Sequence, residues 1–240
     1  MVSCRGISLN SEQEKEFIHR RIIMMDEQIP DVMARGMTEV IAFSHELIRT
    51  LAKEHIRKSL EQHSSEAENE AKIRSRSVVS LRDIQRVFSL FNFFLCDFSL
   101  GSQLTGESPD KFRRAMLISV GIVYYLRLDA VARRKFLQKL NSLPSEQFQD
   151  CCLEEVLESA IDTLTEHTEI PAGIALTRGL KENVFMTLVC TLSRTPLMII
   201  GPPGCSKTLA VSIVTDNANG EESPSLFYRK FARVQPFHYQ

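Results

Sequence analysis

The stretch LMIIGPPGCSKTL, residues 197–209, decides the fold that we expect for the second half of the chain. Its first four residues, 197–200, are apolar and have the length and branching of a buried parallel strand. They run directly into residues 201–208, which follow the phosphate-loop pattern G-x-x-x-x-G-K-[ST] except that Ser206 stands at the second glycine position. The apolar spacing after the loop predicts a helix over 207–217, so strand, loop and helix occur in the required order.

The chemistry of phosphate binding explains this spacing. Several backbone N–H groups must point at the anion together, so the loop has to curl before it enters a helix N-terminus. Gly204 supplies the freedom for the curl, whereas Ser206 lacks glycine's access to positive φ and is expected to be strained. Lys207 would contact the β and γ phosphates, and the Thr208 hydroxyl would complete the coordination of Mg²⁺. We therefore predict that ATP and Mg²⁺ bind at Gly201, Pro202, Pro203, Gly204, Cys205, Ser206, Lys207 and Thr208.

Composition excludes several classes of protein. Of the 240 residues, 43% are hydrophobic and 25% are charged, as in ordinary globular proteins, and the net charge of −1 gives no reason to expect nucleic acid as a partner. The longest apolar stretch, 115–126, is too short to cross a bilayer, and the first ten residues lack the apolar core of a secretory signal. The six cysteines have no metal-ligand spacing, which is typical of free thiols. We expect a cytoplasmic protein without a transmembrane segment.

Most of the chain has helical periodicity. Apolar residues recur at helical spacing over 11–25, 31–60, 78–95, 109–128, 129–143, 145–165 and 180–192. Ser11 with Glu14, and Ser80 with Asp83, have the spacing of helix N-caps. Residues 61–77 are polar and predict an exposed linker.

The nucleotide-binding sheet is incomplete in this pattern. A parallel sheet needs further strands and crossovers to cover both faces, but little sequence follows the predicted helix 207–217. The acids after the loop, Asp216, Glu221 and Glu222, fall at a helix end and in a turn, so we assign no catalytic residue. We expect the chain to be a fragment of a larger protein.

Two separate blocks resemble a known family. They are VSLRDIQRVFSLFNFF at 79–94 and LKENVFMTLVCTLSRTPLMIIGPPGCSKTLA at 180–210. Together they are similar to the AAA+ core of mysterin, a giant RING-finger E3 ubiquitin ligase with dynein-like ATPase units. In that family the serine before the loop lysine is usual, so Ser206 matches it. The resemblance covers most of 78–240 and is weaker over 1–60.

The resemblance implies a fold and a set of roles. The fold class would be mainly α, a helical bundle followed by the opening β-α-β of an AAA+ P-loop domain. Residues 1–60 would belong to a preceding AAA+ unit, 78–168 to a helical lid, and 176–240 to the next nucleotide-binding domain. Arg82 would be a lid arginine that reaches the γ phosphate of the preceding unit's nucleotide. Neighbouring AAA+ units would be partners, and the ubiquitin-conjugating machinery would act through regions absent from this chain.

Two other functions stay open at this point. One is a signalling NTPase of the innate-immune type, in which a helical adaptor precedes a nucleotide switch. The other is a helical interaction module in which residues 201–208 are only a Gly/Pro turn that binds nothing. Nucleotide binding separates this module from the other two functions.

Overall fold

The computed structural model describes residues 10–60, 79–96, 100–105, 110–143 and 153–236. Segment 61–77, the predicted linker, lies outside these residues. The described part is mainly helical, which confirms the helical portion of the predicted fold class. In chain order its helices are α1 (Ser11–Ile23), α2 (Asp31–Leu60), α3 (Leu81–Cys96), α4 (Gly101–Thr105), α5 (Lys111–Val120), α6 (Ala130–Leu140), α7 (Leu153–Glu166), α8 (Arg178–Leu192) and α9 (Lys207–Asn217).

Three short turns accompany these helices. A π-helical turn, Gly121–Tyr125, continues α5, and two 3₁₀ turns, Gly220–Glu222 and Tyr228–Lys230, follow α9. The chain divides into two compact units, Met1–Phe88 with Val123–Cys152, and Ser89–Ile122 with Leu153–Gln240. The predicted domains, 1–60, 78–168 and 176–240, cut the chain at other places and stay predictions.

The N-cap predicted for α1 is wrong by one residue. Asn10, rather than Ser11, caps the helix: its Oδ1 accepts from the Gln13 amide at 2.8 Å, and Gln13 Oε1 accepts from the Asn10 amide at 3.1 Å. Asn and Ser cap helices about equally well, so both pairs fit the sequence. Glu14 is instead buried, and its carboxylate pairs with Arg49 of α2 at 3.1 Å.

The first unit is a helical layer built on α2. Both α1 and α6 pack against this long helix. Each contributes one apolar stripe, as the helical spacing predicts. The fully buried apolar side chains include Ile18, Ile22, Met37, Ile41 and Phe136.

The first unit also buries a polar pair. The hydroxyl of Tyr124 lies 3.0 Å from Nδ1 of His45, and both side chains are buried. The other ring nitrogen, Nε2, has no hydrogen-bond partner among the described residues. Burial lowers the pKa of His45 to about 4, an effect that Arg49 reinforces and Asp83 opposes. The imidazole is therefore neutral at pH 7, and the tyrosine hydroxyl can donate to it.

The second unit brings α4, α5 and α7 together. Residues 115–122 are all buried there. At Gly121 the backbone approaches α7 so closely that a Cβ atom would lie 2.5 Å from Cδ1 of Leu157. Glycine at this position therefore permits the close packing of the two segments.

Helix α8 is held on α7 by ion pairs as well as by packing. Arg178, at its start, lies 2.8 Å from Glu154 and 3.3 Å from Glu158, and Lys181 lies 2.8 Å from Asp162. Hydrogen bonding to Glu154 raises the pKa of Arg178 further above its ordinary value. On another side, α8 packs against α9. Helix α8 thus connects α7 to α9, the helix that follows the predicted loop.

The end of α9 is clamped to the segment that follows α7. Asn217 is buried and exchanges two hydrogen bonds with the backbone of Glu169: Oδ1 accepts at 2.8 Å and Nδ2 donates at 2.9 Å. Further along, the buried hydroxyl of Tyr228 lies 2.7 Å from that of Thr168. Helix α9 is therefore held within the second unit by its packing on α8 and by this clamp at Asn217.

The strand predicted at 197–200, and with it the opening β-α-β, is not shown. These residues have no regular secondary structure, and strands are absent from the described ranges. Leu197 is 37% exposed, Met198 80% and Ile200 83%. A strand satisfies its backbone N–H and C=O groups only through a neighbouring strand, and no such neighbour lies in the described part of the chain.

None of the helices within the described residues combines the length and the apolar character needed to cross a bilayer.

Candidate functional site

The backbone of residues 201–208 curls into the start of α9. Two residues of the loop have left-handed conformations, Gly204 with φ +82° and Ser206 with φ +60° and ψ 22°. A residue with a Cβ atom is strained in this conformation, so the strain predicted for Ser206 from the sequence agrees with its φ. From Ser206 the chain enters the helix at once, since its carbonyl accepts from the amide of Ala210 at 3.0 Å.

The N-terminus of α9 is not capped by a side chain. Ser206 holds the N-cap position without a side-chain hydrogen bond to the first turn. The first N–H groups of a helix have no partner inside the helix, and the helix dipole makes this end positive. The first turn of α9 therefore offers donors to an anion.

Lys207 folds back over the loop. Its ammonium group donates to the carbonyl of Gly201 and to that of Pro202, each at 2.8 Å, and lies 3.3 Å from the sulfur of Cys205. An ammonium has three donors, so these contacts account for all of them. The ammonium charge is thus held beside the loop, where it can attract a phosphate group.

Cys205 fits against the start of the loop. A Cβ atom at position 201 would lie 2.6 Å from its sulfur, so the first glycine leaves room for the thiol. By contrast, no heavy atom lies within 4 Å of the corresponding point at Gly204. The loop is closed on the side of Cys205 and open at Gly204, which leaves space for a ligand to approach.

One contact joins the loop to α8, and sequence reasoning missed it. Nδ2 of Asn183 donates to the carbonyl of Cys205 at 3.1 Å. Asn183 belongs to the block 180–210, but no pattern in that block predicts a role for its side chain. The one sequence signal for this contact is an amide side chain on the helix that precedes the loop. The atom to which the amide bonds could be identified only from the fold.

The remaining predicted loop residues line the surface. Pro202, Pro203 and Thr208 are exposed, and Thr208 lies in the first turn of α9. Its hydroxyl is accessible to a cation held by a bound phosphate. Within the described ranges, no three His, Cys, Asp or Glu side chains come together as a metal site.

Arg82 lies in the first unit, at the start of α3. The predicted N-cap pair is present here, because Asp83 Oδ2 accepts from the Ser80 amide at 2.8 Å. Asp83 is buried, with Arg86 at 3.0 Å and Arg127 at 3.9 Å from its carboxylate. Arg82 is exposed, and its side chain forms no ion pair or hydrogen bond with any other residue that the structure describes.

The family comparison matches the C-terminal part of the chain. Residues 173–240 match the model of the RNF213 AAA domain. This range contains α8, the loop and α9. The loop therefore lies in the segment that is similar to this AAA domain.

Three named proteins are similar to the chain over a longer range. A zebrafish (Danio rerio) protein, E3 ubiquitin-protein ligase rnf213-beta, is 28% identical over 240 residues, 97% of this chain and 4% of that protein. Human E3 ubiquitin-protein ligase RNF213 is 29% identical over 179 residues, 68% of this chain and 3% of that protein. A Dictyostelium discoideum protein, named as uncharacterised and transmembrane, is 31% identical over 194 residues, 69% of this chain and 3% of that protein.

The chain spans only 3% or 4% of the length of these relatives. Mysterin, the family that the two sequence blocks resemble, is another name for RNF213. The predicted resemblance is therefore confirmed: the chain is similar to the RNF213 E3 ubiquitin-protein ligases, and residues 173–240 match the RNF213 AAA domain.

Proposed function

We propose that the chain binds ATP together with Mg²⁺ through residues 201–208. One observation carries this proposal: positive φ angles at Gly204 and Ser206 turn the chain into an uncapped helix N-terminus with Lys207 at its first position. This is the backbone shape that phosphate binding requires. Lys207 would exchange its bonds to the loop carbonyls for bonds to phosphate oxygens, and the exposed Thr208 hydroxyl would join the Mg²⁺ shell.

We further propose that the loop belongs to an AAA+ domain whose sheet residues 197–200 would enter as a strand. The exposed side chains of Met198 and Ile200 support this, because a strand inside a parallel sheet is covered on both faces. The RNF213 AAA-domain match over 173–240 supports it as well. The β-α-β opening is thus the form that the segment would take beside the rest of such a domain.

The wider setting that we propose is an RNF213-like ATPase and E3 ubiquitin ligase. Neighbouring AAA+ units would be the direct partners, and Arg82, exposed at the start of α3, would reach the nucleotide of the preceding unit. The relatives' names support the ligase assignment. We assign no residue of this chain to ATP hydrolysis or to ubiquitin transfer.

Substitution of the loop lysine tests the nucleotide site. Lys207→Ala should weaken the binding of a fluorescent ATP analogue about tenfold or more, because a charge-assisted contact to phosphate is lost. Titration of both forms in Mg²⁺ measures the effect. Lys230→Ala is the matched control, since Lys230 is an exposed lysine outside the loop.

Two results would contradict the proposal. Equal affinity of the Lys207→Ala and unsubstituted chains would remove the loop from the site, and equal losses in both lysine variants would indicate nonspecific charge attraction. Absence of binding to the unsubstituted chain would favour the helical interaction module instead. The role of Mg²⁺ is tested by Thr208→Ala, which should reduce the difference between affinities measured in Mg²⁺ and in EDTA.

A further inference from the structure

We propose that Asn183 is a positioning residue that holds residues 201–208 in their phosphate-binding shape through its hydrogen bond to the carbonyl of Cys205. This inference rests on the proposed nucleotide binding. The bond joins Nδ2 to the carbonyl oxygen at 3.1 Å. Since a carbonyl only accepts, the amide nitrogen of Asn183 must face it, which fixes the orientation of the side chain.

The peptide unit between Cys205 and Ser206 explains what this bond controls. In a planar trans peptide, the carbonyl oxygen and the following N–H point in opposite directions. A Cys205 carbonyl held toward α8 therefore directs the N–H of Ser206 away from that helix. This N–H makes no hydrogen bond with another described residue, so it remains a donor for an anion.

The orientation of this peptide unit depends on left-handed backbone conformations, so a hydrogen bond that stabilises it matters more here than elsewhere in the loop. The unit joins Cys205 to Ser206, and Cys205 is flanked by the left-handed residues Gly204 and Ser206. Serine is less stable than glycine in that conformation, so Ser206 favours a rotation of the unit that would turn its N–H elsewhere. A bond to the Cys205 carbonyl opposes that rotation.

Asn183 lies on a helix that is held in place by packing and by an ion pair. Its neighbours on α8, Val184 and Phe185, are buried. Two residues before Asn183, Lys181 pairs with Asp162 of α7 at 2.8 Å. The helix therefore cannot follow the loop if the loop shifts, and the bond acts as a restraint on the loop.

Two variants test the restraint. Asn183→Asp keeps the size of the side chain but removes the donor, and Asn183→Ala removes the whole amide. Thr191→Ala is the matched control, because Thr191 lies on the same helix and, among the residues that the structure describes, its hydroxyl bonds only to the carbonyl of Thr187. Retention of the thermal unfolding midpoint in the Asp variant would show that α8 remains packed.

The first readout does not depend on nucleotide. The rate of iodoacetamide alkylation of Cys205 is measured by mass spectrometry on the tryptic peptide 195–207, in which Cys205 is the single cysteine. Both Asn183 variants should react about five-fold faster than the control, as expected when one hydrogen bond that holds the loop is lost. Unchanged alkylation rates in both variants would overturn the proposal.

The second readout is the affinity for the fluorescent ATP analogue in Mg²⁺. Both variants should bind about five-fold more weakly, with the larger loss in Asn183→Asp because its carboxylate repels the Cys205 carbonyl. Faster alkylation with unchanged affinity would overturn the link to phosphate binding. Faster alkylation in a protein whose unsubstituted form binds no nucleotide would instead sustain the restraint and reject the proposed function.

Discussion

Two apolar runs in the second unit have opposite surroundings. Residues 115–120 of α5 are all buried, whereas Leu197, Met198 and Ile200 are 37%, 80% and 83% exposed. The first run is helical, so its backbone bonds are satisfied within the segment. The second is suited to a strand, whose backbone bonds need a neighbour. The difference shows that apolar sequence predicts burial only when the required partners are present.

The largest expected effect comes from a matched pair of methionines. Met116 is fully buried in the first run, and Met198 is 80% exposed in the second. Met116→Ala should lower the free energy of unfolding by roughly 2–5 kcal/mol, because it leaves a cavity. Met198→Ala should change it by no more than about 0.5 kcal/mol. Urea unfolding followed by circular dichroism gives both values, and equal losses would show that the second run is packed in solution.

A pH dependence extends the comparison to the first unit, where burial includes a polar group. The folded pKa of His45 is about 4 and its ordinary value is 6.5, so the unfolded chain binds the extra proton between these values. Stability contributed by the neutral imidazole is therefore complete above about pH 6.5 and is lost as the pH falls toward 4. We expect a loss of about 1–2 kcal/mol between pH 7 and pH 5.

The control for this effect is His45→Gln, which cannot titrate. The change in unfolding free energy between the two pH values should be smaller in this variant than in the unsubstituted chain. The exposed run should not contribute, so Met198→Ala should keep the full pH dependence. A pH dependence equal in His45→Gln and the unsubstituted chain would assign the effect to other groups.

The smallest effect on stability is expected at the most exposed residue of the second run. Ile200→Ser should leave the thermal midpoint almost unchanged, because the side chain is already 83% exposed. The same change should reduce the fluorescence of the apolar-surface dye ANS, since one accessible aliphatic side chain is removed. A clear fall in the midpoint would mean that residue 200 has a partner in solution.

The sequence was sufficient for those parts of the fold that depend on local patterns. Helical spacing located α2 and α9 at their observed bounds, and the spacing of Ser80 and Asp83 located the cap of α3. The structure was needed to identify Asn10, not Ser11, as the cap of α1. Both Asn10 with Gln13 and Ser11 with Glu14 have the spacing of a capping box. The bond from Asn183 to Cys205 joins residues 22 positions apart, so no local pattern contains it.

The predicted site was accessible to sequence reasoning for a different reason. A phosphate loop is one continuous segment, so its residues are neighbours in sequence before they are neighbours in space. Strain at Ser206 could be anticipated from residue type alone, and its φ of +60° agrees with that expectation. The fold of Lys207 onto the Gly201 and Pro202 carbonyls depends on the curled backbone and could not be anticipated.

Serine at position 206 makes the conformation of the loop dependent on the rest of the protein. A glycine adopts the left-handed conformation at little cost. A serine is less stable in it by about 1–2 kcal/mol, so contacts with the rest of the protein must stabilise the curl. Residues 197–208 grafted onto another protein, or synthesised as a peptide, should therefore lose the curl. Ser206→Gly is the substitution that would let an engineer move this loop to a different host.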